Sequence, residues 1–277
     1  MAKKTAVKDK AAAEQEDADG SIRAISRGLS VLKVINRKGS ANLTEISRET
    51  EIPYPTVCRI VTTLLQEEMI EREPNRKRYR PTVMVQSLAV GYQQESSLVT
   101  VARQTLEQLC SDLVWPISLA TRVGSCMVLL DSTHHMTSLT LSRYYPGFTM
   151  PVTECATGRA YLAYCDQGTR SQILNNLKNV EFAAHGRINP ARYDEPFWQA
   201  IRDKGYAVQA HNLFSSDPGK TSSLAVPILI NGTIAASIAV IFFRTSLSLD
   251  EAETSFVNKL IDAGREISKK LEDMQSA

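Results

Sequence analysis

The chain has 277 residues, 43% of them hydrophobic and 22% charged, with a formal net charge of +2. That length excludes a single small module and fits two domains with ample core, while the near-balanced charge excludes a uniformly basic or acidic protein. No apolar stretch reaches membrane-spanning length, and the opening "MAKKTAVKDKAAAEQEDADG" has charges where a signal peptide needs its apolar segment, so a cytoplasmic protein with no membrane partner is expected.

Residues 1–20, rich in Ala, Lys, Glu and Asp and without aromatics, read as a disordered lead-in. From Ser21, "SIRAISRGLSVLKVINRKGS" puts Ile22, Ile25, Leu29, Leu32 and Ile35 on one helical stripe and closes in a Lys-Gly-Ser stop. A short second helix in "NLTEISRETE" is anchored by Leu43 and Ile46 and is ended by "IPYP". A third helix opens at Pro55 and runs to about Met69 with Val57, Ile60, Val61 and Leu64 inward. Helix, short helix, tight turn and helix is the helix-turn-helix order.

"MIEREPNRKRYRPT" follows as two short extended arms about a Pro74-Asn75 turn, a β-hairpin wing carrying Arg76, Lys77, Arg78 and Arg80. Residues 21–82 hold twelve Lys/Arg against seven Asp/Glu, net +5, so the rest of the chain is net −3. Such an asymmetry is expected of an appended nucleic-acid module. On this reading the wing cations neutralise phosphates and release counterions, and the outer stripe of the third helix, Thr56, Arg59 and Thr63, faces a DNA major groove. Arg59 would read guanine, Thr56 would touch a phosphate or a thymine methyl, and Tyr54 would contact the backbone. The plainer alternatives are a solvated hairpin tip and an Arg59–Glu51 ion pair.

Residues 83–95 read as a linker helix with Val83, Leu88 and Val90 as packing points; it and the first helix are natural places for self-association, since two-fold operators need dimeric readers. Residues 96–277 change texture. An amphipathic helix precedes the strands "ISLATRVG" and "CMVLLDST" and a third strand "SLTLSRYY". Next, "MPVTECATGRAYLAYC" is extended and then helical from about Cys155. Two helices near residues 168–178 and 191–204 follow, then the strands "SSLAVPILI" and "TIAASIAVIFF" joined at Asn231-Gly232, and a last helix from about Ser248 to Met274. This pattern is an α+β domain with an antiparallel sheet. The five cysteines, Cys58, Cys110, Cys126, Cys155 and Cys165, form no C-x-x-C pair and have no histidine at metal spacing, so reduced thiols and no metal or other cofactor are expected.

The blocks "RGLSVLKVI", "LTEISRETEIPYPTVCRIVTTLLQEEMIER", "MPVTECATGRAYLAY", "KGYAV" and "SSLAVPILINGTIAASIAV", in that order, resemble the IclR family of bacterial transcriptional regulators. The resemblance implies a winged helix-turn-helix joined to a GAF-like effector domain, a dimer or tetramer, and regulation of a catabolic operon. Within the family, "LVWP", "STHH" and "CATG" look most like activators of aromatic acid degradation, such as that of hydroxyphenylpropionate. A small ligand would then sit at the start of the helix opened by "ECATGRA". Ala156 and Thr157 would offer amides, Gly158 room for close approach and Met150 an apolar wall; a helix N-terminus suits a carboxylate. Alternatively Thr157 only caps the helix and Gly158 only lets it pack on the sheet. Thr221 and Ser223, with Ile238 and Val240, would give the pocket side of the last two strands, the latter pair making it less polar than in much of the family. Arg122 and Arg143 are candidates to pair with the acid group, or are merely solvated.

The expected function is therefore a non-enzymatic, ligand-responsive regulator, an activator sensing an aromatic acid, with operator DNA, RNA polymerase and further copies of itself as partners. A repressor sensing a non-aromatic acid, a sequence-independent architectural DNA binder, and an enzyme using Cys155 at a helix N-terminus are the competing readings.

Overall fold

The computed structural model describes residues 22–90, 94–139, 144–177, 181–182, 186–187, 193–210 and 219–275, and it divides into two compact units, up to Tyr92 and from Gln93. The expected disordered lead-in lies outside the described residues.

In the first unit, α1 (Arg23–Lys38) is stopped by Gly39, whose φ of 68° completes the C-terminal turn. Helix α2 (Leu43–Thr50) begins with a capping box, Asn42 accepting from the Glu45 amide while the Glu45 carboxylate accepts from the Asn42 amide. Pro53 and Pro55 then start α3 (Tyr54–Gln66). The wing is β1 (Ile70–Arg72) paired antiparallel with β2 (Tyr79–Pro81), and Ala41 bridges to Tyr79, so the wing is hydrogen-bonded to the approach to α2. Val31, Ile35, Ile46, Val57, Val61 and Ile70 close one small core. The α1 stripe divides: Leu32 and Ile35 are buried, but Ile22, Ile25 and Leu29 are 63%, 58% and 50% exposed. The linker is not one helix. A single turn, α4 (Met84–Ser87), leads into a non-helical turn at 88–90, and a new helix starts at Gln94.

The second unit is built on a six-stranded antiparallel sheet in the order β5-β4-β3-β10-β9-β8. Its strands are β3 (Ile117–Val123), β4 (Cys126–Ser132), β5 (Thr149–Pro151), β8 (Ala207–Gln209), β9 (Thr221–Ile230) and β10 (Thr233–Phe243); β6 (Glu181–Phe182) and β7 (Gly186–Arg187) pair separately. One face packs on α5 (Gln94–Leu113) and α9 (Leu249–Gln275), through Leu106, Leu109, Leu260 and Ile267 against Leu224, Ile238, Val240 and Phe242. The other face carries α6 (Ala156–Tyr164), with α7 (Gln167–Leu177) and α8 (Glu195–Lys204) outside it. Buried Arg170 on α7 and Arg202 on α8 share Glu195, tying these helices together. The expected strand over "SLTLSRYY" does not form at Ser138 and Leu139, which lie in a bend; residues 140–143 lie outside the described ones.

Candidate functional site

On α3 the inward positions Val57 and Val61 are buried, which turns the opposite stripe out: Arg59 and Thr63 are exposed and Thr56 is half-buried. The Thr63 hydroxyl donates to the Arg59 carbonyl, 3.2 Å away, so its methyl is the freer end. Among the described residues Arg59 has no ion pair, with Glu51 or any other acid. Tyr54, at the helix start, is 48% exposed.

The wing cations are not equivalent. Arg78 is occupied: its guanidinium donates to both Glu45 carboxylate oxygens at 3.1 and 3.0 Å and to the Ser40 hydroxyl and carbonyl at 3.0 and 2.8 Å. Hydrogen bonds from Arg78, then from the Asn42 amide, hold the Glu45 carboxyl below its ordinary value. Arg80 faces away in register with Glu71 and pairs with it at 2.6 Å. The four cations expected to meet phosphate are thus not equally available in this structure: Arg78 forms a clip between wing and α2, and Arg80 is paired with Glu71. Arg76 and Lys77 are exposed and have no ion pair among the described residues, and neither has Arg72. Arg72 was not anticipated. It sits opposite Tyr79, on the wing face that turns toward the helices, and lines a groove with Tyr54, Asn42, Thr44, Arg76 and Lys77. Hairpin alternation from the buried Ile70 was the signal that could have found it.

In the second unit, Met150, Ala156, Thr157, Thr221 and Ser223 meet around one cleft beneath the N-terminus of α6, together with Ser118, Tyr144, Cys155, Ala239 and Ile241. Its free space is about 10 Å³, room for about one water, so a larger guest must part its walls. Helix α6 has no side-chain cap; the Thr157 hydroxyl instead donates to the Cys155 sulfur at 3.4 Å. The helix therefore presents uncapped amides and its positive dipole end to the cleft.

Ile238 and Val240 are on the wrong face. They pair with Leu119 and Val226 and with Ile117 and Leu224, in the core beneath α5 and α9, whereas Ala239 and Ile241 face the cleft. A register taken one residue off moves every side chain to the opposite face, and β10 gave no warning because both faces are buried. Gly158 serves packing: an added Cβ would lie 1.9 Å from the Val152 carbonyl oxygen, so the glycine lets α6 lie on the chain after β5. Arg122 is not at the cleft; it donates to the Gly124 carbonyl at 2.9 Å and lies over the Tyr161 ring. Arg143 lies outside the described residues. Among the described residues the buried polar atoms without a hydrogen-bond partner on this sheet face include Thr221 Oγ1, at the cleft, and Gln209 Oε1 and Ser237 Oγ, which lie on the same face but do not line it; Gln209 and Ser237 were not anticipated.

Cys155 cannot serve as a nucleophile here. Burial pushes its thiol up to about 11, its sulfur lies 3.5 Å from the Pro151 carbonyl as a donor, and the thiolate that such chemistry requires is suppressed. Among the described residues no three His, Cys, Asp or Glu side chains gather as a metal-binding group, and no helix is long and apolar enough to cross a membrane.

The sequence model described as the IclR helix-turn-helix domain matches residues 24–74, and that described as bacterial transcriptional regulator IclR C-terminal matches residues 90–269. The chain belongs to the IclR family. It is 27% identical over 254 residues to the HTH-type transcriptional regulator BhcR of Paracoccus denitrificans (strain Pd 1222), covering 90% of this chain and 87% of that one. To the Pca regulon regulatory protein of Pseudomonas putida it is 23% identical over 249 residues, covering 89% and 83%. The fold is shared with the IclR of Thermotoga maritima, TM-score 0.64 at 18% identity over 90% of this chain and 98% of that one. It is shared also with an IclR homolog from Microbacterium hydrocarbonoxydans complexed with 4-hydroxybenzoate, TM-score 0.66 at 20% identity over 90% and 99%. As a member of the IclR family the chain is a DNA-binding transcriptional regulator with an effector domain, and not an enzyme.

Proposed function

We propose that this IclR-family regulator senses a small aromatic carboxylic acid in the α6 cleft and activates a catabolic operon in response. Residues 21–82 bind operator DNA, 83–95 connect, and 96–277 sense. The observation that carries the effector reading is the uncapped start of α6, facing a cleft whose walls combine the hydroxyls of Ser118, Thr157, Thr221 and Ser223 with Tyr144, Met150, Ala239 and Ile241. Dipole and amides suit the carboxylate, and the apolar wall suits the ring. The 4-hydroxybenzoate complex of the Microbacterium hydrocarbonoxydans protein supports an aromatic guest in this fold. Activation rests on the resemblance of "LVWP", "STHH" and "CATG" to activators of aromatic acid degradation, and brings RNA polymerase in as a partner.

At the DNA, Arg59, Thr56 and Thr63 read bases, while Tyr54, Arg72, Arg76 and Lys77 hold phosphates; Arg78 and Arg80 support the wing that carries them. The exposed apolar residues Ile22, Ile25 and Leu29 on α1, with Val83, Leu88 and Val90 after the wing, support assembly into a homodimer or tetramer in the cytoplasm. For the acid to regulate, it must bind two conformations of that assembly unequally, by roughly 1–3 kcal/mol. Fluorescence anisotropy on duplex DNA from upstream of its own gene, titrated with aromatic acids, tests the proposal. Binding above a scrambled duplex that one acid shifts is the expected result; equal binding to every duplex with no acid effect would sink it and favour an architectural binder.

A further inference from the structure

Resting on the reading of α3 as the helix that enters the major groove, we infer that Arg27 of α1 is a further DNA contact, holding phosphates of the strand across that groove from the one held by the wing. The cations of the first unit divide into those matched by an acid and those that are not. Arg37 and Lys38 both pair with Glu49, Arg78 with Glu45 and Arg80 with Glu71. The side chains of Arg27 and Arg59 have neither ion pair nor hydrogen bond among the described residues. They line one groove between α1 and α3 together with Arg23, Gly28, Ile60 and Leu64, and no acidic side chain lines it. The first turn of α1 carries no acid either.

The place of this groove on α3 decides what it meets. At about 3.6 residues per turn, Ile60 and Leu64 lie on one flank of the outward stripe Thr56, Arg59 and Thr63, and Tyr54, which lines the wing groove with Arg72, Arg76 and Lys77, lies on the other. The stripe is therefore bracketed by two grooves, each lined by unmatched cations. A helix in the major groove is bracketed in the same way, by two phosphate backbones about 12 Å apart. One groove per backbone follows: the wing takes one strand and Arg27 takes the other. Arg27 stands on α1, outside the reading helix, so it positions the duplex and reads no base. Self-association leaves it available. At about 100° per residue, Arg27 is turned about 140–160° from Ile22, Ile25 and Leu29, the exposed stripe offered to a second copy.

Anisotropy of the full chain on the duplex from upstream of its own gene and on a scrambled duplex, each across a salt series, tests this. Arg27→Ala should weaken both duplexes alike and lower the salt slope by about one, keeping the preference among base-substituted duplexes. Arg27→Lys, which restores a point charge, should regain the slope, as a base-reading arginine would not. Gly28→Glu puts an acid in the groove at a position where an added Cβ meets nothing within 4 Å. Glutamate is also the better helix former, so this variant should melt at or above the parent temperature while its binding to both duplexes falls about tenfold or more at low salt. Ethylation interference on the upstream duplex should place the phosphates lost with Arg27→Ala on one strand of each half-site and those lost with Arg76→Ala on the other. A salt slope that Arg27→Ala leaves unchanged, a loss confined to one base pair, or both sets of phosphates on the same strand would overturn the inference. Base preference that survives Arg59→Ala would instead strike the reading of α3, and the inference with it.

Discussion

Gly158→Ala tests the tight packing of α6 at its start. The added Cβ would stand 1.9 Å from the Val152 oxygen, 2.6 Å from its carbonyl carbon and 2.8 Å from its Cα, where real Cβ contacts essentially never fall below 3.0 Å. All three atoms are backbone, so no side chain can rotate out of the way; α6 and the turn after β5 must part by about 1 Å, at an overpacking cost of about 3 kcal/mol. Alanine also favours helix over glycine by about 1 kcal/mol. Steric cost outweighs propensity, leaving a net loss of about 2 kcal/mol, which lowers the melting temperature of a unit this size by roughly 4–8 °C. Scanning calorimetry reads that shift, and titration of an aromatic acid should show weakened binding, since the amides of Ala156 and Thr157 move with the helix. A melting temperature unchanged or raised would mean that propensity wins, and the tight α6 contact would be refuted.

Arg59→Ala should weaken the specific site by about 1–3 kcal/mol and relax preference at one base pair, read by anisotropy against a base-substituted duplex set. Arg76→Ala should weaken all duplexes alike and reduce the salt slope by about one; Arg78→Ala should instead lower thermal stability with a smaller change in slope, because its charge is already spent on Glu45. Since Arg78 depresses the Glu45 carboxyl, the clip's stability is fully present above the unfolded value of 4.5 and is lost as pH falls through the lower folded value. An acid titration of unfolding should show that limb, flattened in Arg78→Ala. Iodoacetamide at pH 8 should leave Cys155 unlabelled in the native chain and label it in denaturant; rapid native labelling would contradict a thiol held near 11.

Much of the architecture was legible because local chemistry repeats along the chain. Gly39, the Leu43–Ile46 pair and the prolines Pro53 and Pro55 act within a turn of where they stand, so α1, α2 and α3 could be placed from composition and period alone. Strand β9 was likewise readable, and Thr221 and Ser223, which alternation puts on one face and the family resemblance put on the pocket side, stand at the cleft. The strand expected over residues 138–145 shows the limit: alternating apolar residues license a strand, but a partner strand must receive it, and among the described residues Ser138 and Leu139 lie in a bend and pair with none.

What the sequence by itself determined was the two-part chain, the helix-turn-helix, the wing and the helix opened at Cys155, all features written in neighbouring residues. Which wing cations are free, which face of β10 meets the cleft, and what Gly158 makes room for were decided only by tertiary structure. Glu45 reaches Arg78 across 33 positions of chain, and Gln209 finds Ser223 only through strand pairing. Pairing of that kind depends on distances in space, and for β10, buried on both faces, the one-dimensional pattern holds no asymmetry from which to read it.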